Sequence, residues 1–334
     1  AEIGPPIGVP RAIATNPVPA DLDLQRGVIV AGGRSGVAPS VIGGLAERLG
    51  WPILADPISG VRGDERAVPS FDSILRFEDF ARAHAPEVVV RFGRAPASKV
   101  LAQWIVASDA PVIQVGGPGI VDPERNVAVH CSPDQLDALT GAATTPWLAR
   151  WRHASERAEA AIADVIRSEP LSEPSVARTI AEWLPTAVEL VVASSMPVRD
   201  VEWFGGPSAR SHANRGANGI DGVLSTALGM ALTGRTTVAL VGDIAFVHDS
   251  NALVALARRS ADLRIVVVDN GGGGIFSFLP QASSLPAERF EQLFGTPHGA
   301  DIEAIARAHG VDAATVDTAA SLVDRCLLYT SDAA

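Results

Sequence analysis

The chain has 334 residues, 47% of them hydrophobic and 19% charged, and a formal net charge of −11. That composition is globular and long enough for two domains of ordinary size. The acidic balance argues against a nucleic-acid or acidic-membrane partner. No run of about 18 apolar residues suggests a membrane span, and no segment reads as a secretory leader. The two cysteines, Cys131 and Cys326, form no CxxC and read as free thiols of a reducing compartment, so a cytoplasmic location is expected. The seven histidines lack metal-ligand spacing such as HExxH. Lys99 is the only lysine among 27 basic residues, which singles it out against an arginine-rich background.

Residues 1–25 carry Pro5, Pro6, Pro10, Pro17 and Pro19 without apolar periodicity, and read as a linker entering a domain. From Gly27 onward short apolar runs at 28–31, 53–55, 88–92, 112–115 and 127–130 alternate with longer amphipathic segments such as 37–49 and 97–107. Such alternation predicts a parallel sheet covered by helices on both faces. A long helix over about 146–166 closes this first domain, expected at 26–167, and Ser168-Glu169-Pro170 breaks the chain. A second α/β domain is expected at 168–326. Its strands are predicted at 190–193, 211–214, 237–241 and 263–269, and its helices at about 175–183, 222–232, 251–257, 301–308 and 319–326.

The chemistry concentrates after Thr237. One buried strand ends in Gly242-Asp243, and a second ends in Asp269-Asn270 followed by the run Gly271–Gly274. Ligands of open parallel sheets bind at the carboxyl ends of the strands, so both polar ends should face one crevice. A carboxylate from Asp243, an amide oxygen from Asn270 and bare glycine backbone make a hard oxygen donor set suited to Mg²⁺ and a diphosphate. Each of these turns alone is commonplace. Together, 27 positions apart across one helix, they match the GDG…N signature of thiamine-diphosphate enzymes, with Ile244 in place of the third glycine.

Further stretches make the resemblance specific. Residues 211–222, SHANRGANGIDG, are similar to the NRGxxGIDG stretch of the SEPHCHC synthase family of menaquinone biosynthesis. GDIAFVHDSNAL, GGGGIFSFLP and Phe294-Gly-Thr-Pro-His298 resemble that family too. The resemblance covers roughly residues 20–325 and is strongest in the second domain. It implies two Rossmann-like or flavodoxin-like domains, a middle domain and a diphosphate-binding domain. It implies thiamine diphosphate with Mg²⁺ or Mn²⁺ as cofactors, and 2-oxoglutarate and isochorismate as substrates of a decarboxylating transferase. It further implies a homodimer or tetramer with the active site at the interface.

The resemblance also assigns roles. Asp243, Asn270 and the Gly272 carbonyl would hold the metal, with Gly242 and Gly273 beside the diphosphate. Ile220 would be the wedge that bends the cofactor, and Ile275, Phe276 and Leu279 an apolar wall next to it. Ser195, Arg199 and Arg215 would bind substrate carboxylates, which suits the planar, paired donors of arginine, and Lys99 would reach toward the second substrate. The glutamate that activates the cofactor belongs to a pyrimidine-binding domain that nothing in residues 1–25 supplies. The chain is therefore expected to be a fragment inactive alone, and residues 327–334 a non-native tail. Two other functions fit the same motifs: a thiamine-diphosphate carboligase of acetolactate-synthase type, and a non-catalytic diphosphate-binding module.

Overall fold

A computed structural model describes residues 25–117, 122–139, 146–168, 170–207, 211–214 and 219–327. The chain divides into two compact units, the first ending at Ala161 and the second beginning at Ile162. Each is a parallel α/β unit, as the alternating pattern predicts.

The first unit carries β1 (Gly27–Ala31), α1 (Pro39–Leu49), β2 (Ile53–Ala55), α2 (Phe71–Leu75), α3 (Glu78–Ala83), β3 (Val88–Phe92), α4 (Lys99–Ser108), β4 (Val112–Val115) and β5 (Val127–Cys131). The strands lie in the order β2-β1-β3-β4-β5, all parallel. The apolar runs of β1 and β3 are buried along their whole length, as strands covered on both faces require. Helix α1 starts on a proline and ends at Gly50 in the left-handed region (φ 66°), where Trp51 N–H returns to the Ala46 carbonyl.

The long helix α5 (Pro146–Ser168) begins by laying Trp147 and Trp151, one turn apart, onto this core. Trp147 Nε1 donates to the Gly27 carbonyl at 2.8 Å, and Trp151 packs edge-on against Phe80 and Trp104. At the carboxyl ends of β1 and β3 the glycines serve close backbone packing. Arg94 N–H donates to the Gly33 carbonyl at 3.0 Å, and a Cβ on Gly32 would meet the Arg94 carbonyl oxygen at 1.7 Å. Cys131 and Cys326 are both buried free thiols. Burial and the neighbouring Asp134 push Cys131 up to about 11, which makes it a poor nucleophile.

The second unit carries α6 (Glu173–Trp183), β6 (Glu189–Val192), α7 (Met196–Phe204), β7 (Ser211–His212), α8 (Val223–Ala231), β8 (Thr237–Gly242), α9 (Asp243–His248), α10 (Ala252–Leu256) and β9 (Leu263–Val268). Helices over Ile302–Ala308 and Ala319–Leu322 follow. The parallel order is β7-β6-β8-β9. The chain thus leaves β6 in one direction to β7 and returns past it to β8. The carboxyl ends of β6 and β8 therefore flank the point where strand order reverses, which is where open α/β sheets bind ligands.

Several features differ from expectation: α9 precedes α10 where one helix is expected, and short helices over Gln281–Ser284 and Ala287–Phe290 are additional. Helix α7 is additional: Pro197 looks like a breaker in sequence but occupies the first turn, where it needs no N–H partner, and buried Asp200 and Glu202 spoil the amphipathic pattern. Strand β7 has only two residues of the four expected, because Asn214 turns its side chain to the Gly222 carbonyl and Thr226 Oγ1. Among the described residues, no helix is long and apolar enough to cross a membrane.

Candidate active site at the carboxyl edge of the second sheet

Strands β8 and β9 pair in register to their ends, Gly242 opposite Val268, so the polar residues that follow emerge side by side. Gly242 is still extended (φ −83°, ψ 163°), and Asp243 opens α9. A carboxylate there meets the free N–H groups of the first turn, and Asp243 Oδ1 accepts from Ile244 N at 2.6 Å. Its side chain is 3% exposed. The other oxygen, Oδ2, is buried and lies 3.2 Å from His298 Nε2. Asp269 joins them: one oxygen or nitrogen from each of Asp243, Asp269 and His298 lies within 4.8 Å of the others.

The segment after β9 is shaped by backbone proximity. Gly271 adopts φ 80°, and its N–H donates to Asp269 Oδ1 at 3.1 Å. Gly273 N donates to the Gly295 carbonyl at 2.7 Å. A Cβ on Gly272 would stand 2.3 Å from that same carbonyl oxygen, and one on Gly273 would stand 2.4 Å from the Phe294 carbonyl oxygen. The glycine run is thus docked on the Phe294–Gly295 backbone, which carries His298 to Asp243. Asn270 is exposed. Its Oδ1 accepts from Gly272 N at 3.2 Å, and its Nδ2 donates to Glu173 Oε1 at 2.7 Å.

The other expected residues fall at several places in this unit. Ser195 stands at the N-cap position of α7 just beyond β6, without a side-chain capping bond, and Arg199 one turn later donates to the Ser195 carbonyl at 2.7 Å, so these two come together at the strand-order reversal. Next to Arg199, Asp200 is 3% exposed; burial first, and then the charge of Glu173, push its carboxyl from 3.8 up to about 8, against the pull of Arg199. Ile220 is half-buried just before α8, whose N-cap Gly222 has φ 72°. Arg215 lies outside the described residues. Ile275 is half-buried, while Phe276 and Leu279 are 39% and 38% exposed and present an apolar surface beside the glycine run.

In the first unit, Lys99 is exposed at the first position of α4, where the buried Ser98 caps the helix and bonds to buried Asp72. The sequence assigns no site role to Asp269, Glu173 or His298. Asp269 carries a signal as the polar end of its strand, and His298 through the Phe294–His298 stretch; Glu173 carries none.

The donor set suits a hard cation. The structure brings together the carboxylates of Asp243 and Asp269 with His298, and carboxylate oxygens are ligands that Mg²⁺ takes together with phosphate and water; the Asn270 amide is engaged by Glu173 and Gly272 N. Among the described residues Asp243 Oδ2 is a buried acceptor without a hydrogen-bond partner. Of the four glycines at 271–274, Gly271 is the one whose Cβ direction is open, while the other three face Gly295, Phe294 and Asn270.

Comparison with known proteins gives the family. A family model described as the middle domain of thiamine pyrophosphate enzymes matches residues 11–192. A second, the C-terminal TPP-binding domain of thiamine pyrophosphate enzymes, matches residues 204–326. Among curated proteins, the 2-succinyl-5-enolpyruvyl-6-hydroxy-3-cyclohexene-1-carboxylate synthase of Chloroflexus aurantiacus is 40% identical over 313 residues, 86% of this chain and 52% of the relative. That of Myxococcus xanthus is 40% identical over 327 residues, 92% of this chain and 55% of the relative. That of Bacillus velezensis is 38% identical over 305 residues, with 86% and 52% covered. The chain spans about half the length of these relatives.

Proposed function

The chain belongs to the thiamine pyrophosphate enzymes, and from that premise we propose that it is the middle and diphosphate-binding portion of a 2-succinyl-5-enolpyruvyl-6-hydroxy-3-cyclohexene-1-carboxylate (SEPHCHC) synthase, acting on 2-oxoglutarate and isochorismate. The observation that carries the reading is the pair of adjacent strand ends, Gly242-Asp243 and Asp269–Gly272, with a buried carboxylate beside a bare backbone run.

In this reading Asp243, Asn270 and the Gly272 carbonyl hold Mg²⁺ or Mn²⁺, and Gly242 and Gly273 let the diphosphate approach. Asn270 must then turn its Oδ1 from the Gly272 N–H toward the ion, while Glu173 keeps hold of its Nδ2. Bound thiamine diphosphate would supply the chemistry that releases CO₂ from a 2-oxo acid and joins the remainder to an acceptor. The chain's residues bind and orient. Ile220 props the cofactor, and Ile275, Phe276 and Leu279 keep water from the reacting carbon. Arg199, with Ser195 at the start of the same helix, and Arg215 take the carboxylates of the dicarboxylic substrate. Lys99 serves the acceptor, and association of copies, as dimer or tetramer, completes the site.

The test is CO₂ release from 2-oxoglutarate, with Mg²⁺ and thiamine diphosphate, by the protein carrying this chain. Isochorismate-dependent product is expected. Pyruvate used in preference to 2-oxoglutarate would favour the acetolactate-synthase type of carboligase instead.

A further inference from the structure

We propose that His298 is a positioning residue of the metal site, which donates its Nε2–H to the Asp243 carboxylate and so fixes the lone pairs that carboxylate presents to the divalent ion. The proposal rests on the metal-site reading above and adds a residue to it.

The tautomer follows from one backbone contact. Ala300 N–H donates to His298 Nδ1 at 2.9 Å, so Nδ1 must carry a lone pair. A neutral imidazole has one ring proton, and with Nδ1 accepting, that proton sits on Nε2. Nε2 is therefore a donor, and what it faces is Asp243 Oδ2 at 3.2 Å. Both atoms are buried, and among the described residues neither has a hydrogen-bond partner. The contact is close without being aligned as a hydrogen bond, a looseness common in sites that tighten when loaded.

Proximity alone would also allow His298 to be a direct ligand, since it clusters with Asp243 and Asp269 within 4.8 Å. The tautomer argues against that: an Nε2 that carries a proton has no lone pair for a metal. The ligands then remain oxygens, which keeps the site hard and suited to Mg²⁺ or Mn²⁺. Asp243 Oδ1 accepts from Ile244 N–H, Oδ2 faces His298 Nε2, and with that contact tightened each oxygen would still retain a lone pair for the ion. Outer partners of this kind orient metal-binding side chains in many proteins. Because His298 arrives on the same loop that docks the glycine run at Gly295, one segment sets both halves of the site.

The test is Mn²⁺ binding by the whole chain, read by electron paramagnetic resonance in the presence of thiamine diphosphate. His298→Ala should weaken binding about 10–100-fold, the usual cost of losing an outer partner. His298→Gln, whose amide N–H reaches a similar place, should restore most of it. Unchanged affinity in His298→Ala would overturn the proposal, and so would a glutamine variant as weak as the alanine one. Wild-type protein that binds Mn²⁺ while His298→Ala matches it would sink this inference alone; wild-type protein that binds none would sink the metal site with it. Should either variant fail to fold, the ¹⁵N shifts of His298 in the wild-type chain decide: a protonated Nε2 is expected, and a protonated Nδ1 would contradict the argument.

Discussion

Replacing Asp200 by asparagine should remove a pH dependence from the stability of the second unit. The Asp200 side chain is buried on α7, and desolvation, reinforced by Glu173, holds its carboxyl up at about 8 instead of 3.8. Between those values the unfolded chain releases this proton and the folded chain keeps it. Stability contributed by Asp200 is therefore full below about pH 4 and falls as pH rises toward about 8. One proton corresponds to about 1.4 kcal/mol per pH unit, so roughly three units to neutrality give a loss of about 4 kcal/mol; local relaxation makes about 2–4 kcal/mol the expected range. Asparagine keeps the shape without the charge. Urea unfolding at pH 4.5 and pH 7.5 should then show wild type and Asp200→Asn close together at the lower pH, and the variant more stable at the higher one. Parallel curves, with the same difference at both pH values, would refute the reasoning and mean that Asp200 ionises freely in the fold.

Other perturbations have equally definite outcomes. Gly272→Ala places a Cβ 2.3 Å from the Gly295 carbonyl oxygen, so the two backbone segments must part; about 1–3 kcal/mol of stability should be lost on urea unfolding, together with thiamine-diphosphate affinity. Trp151→Ala should cost about 3–5 kcal/mol in thermal or urea unfolding, since the ring is fully buried against Phe80, Trp104 and Trp147. Arg199→Ala should weaken kcat/KM for 2-oxoglutarate by about 2–5 kcal/mol and for pyruvate by less; an equal loss for both would indicate damage to α7 rather than a lost carboxylate contact.

The strands were legible in the sequence because a parallel sheet buried on both faces demands uninterrupted apolar runs, as in Val28–Ala31 and Val238–Val241. Helix α7 was not, since its proline and its buried acids mimic a loop when read one residue at a time. At the site, Gly242-Asp243 and Asn270 could be found by motif and spacing. The neighbours that give Asp243 its surroundings could not. Asp269 is legible as the end of its strand but not as a neighbour of Asp243, and His298 lies 55 positions from Asp243 in sequence; the docking of 294–295 on the glycine run brings it close. The partner of Asn270, Glu173, lies 97 positions away at the start of α6, a separation no local pattern can bridge.

Calorimetry of thiamine diphosphate binding in the presence of Mg²⁺, on wild-type and Asp243→Ala protein, addresses the central claim most directly. Asp243 is the buried carboxylate at the junction of β8 and α9, and its Oδ2 faces the cluster. The account predicts Mg²⁺-dependent binding by the wild type and none measurable in the variant. Equal affinity in both proteins would contradict it, and would leave Gly242-Asp243 as nothing more than the turn between a strand and a helix.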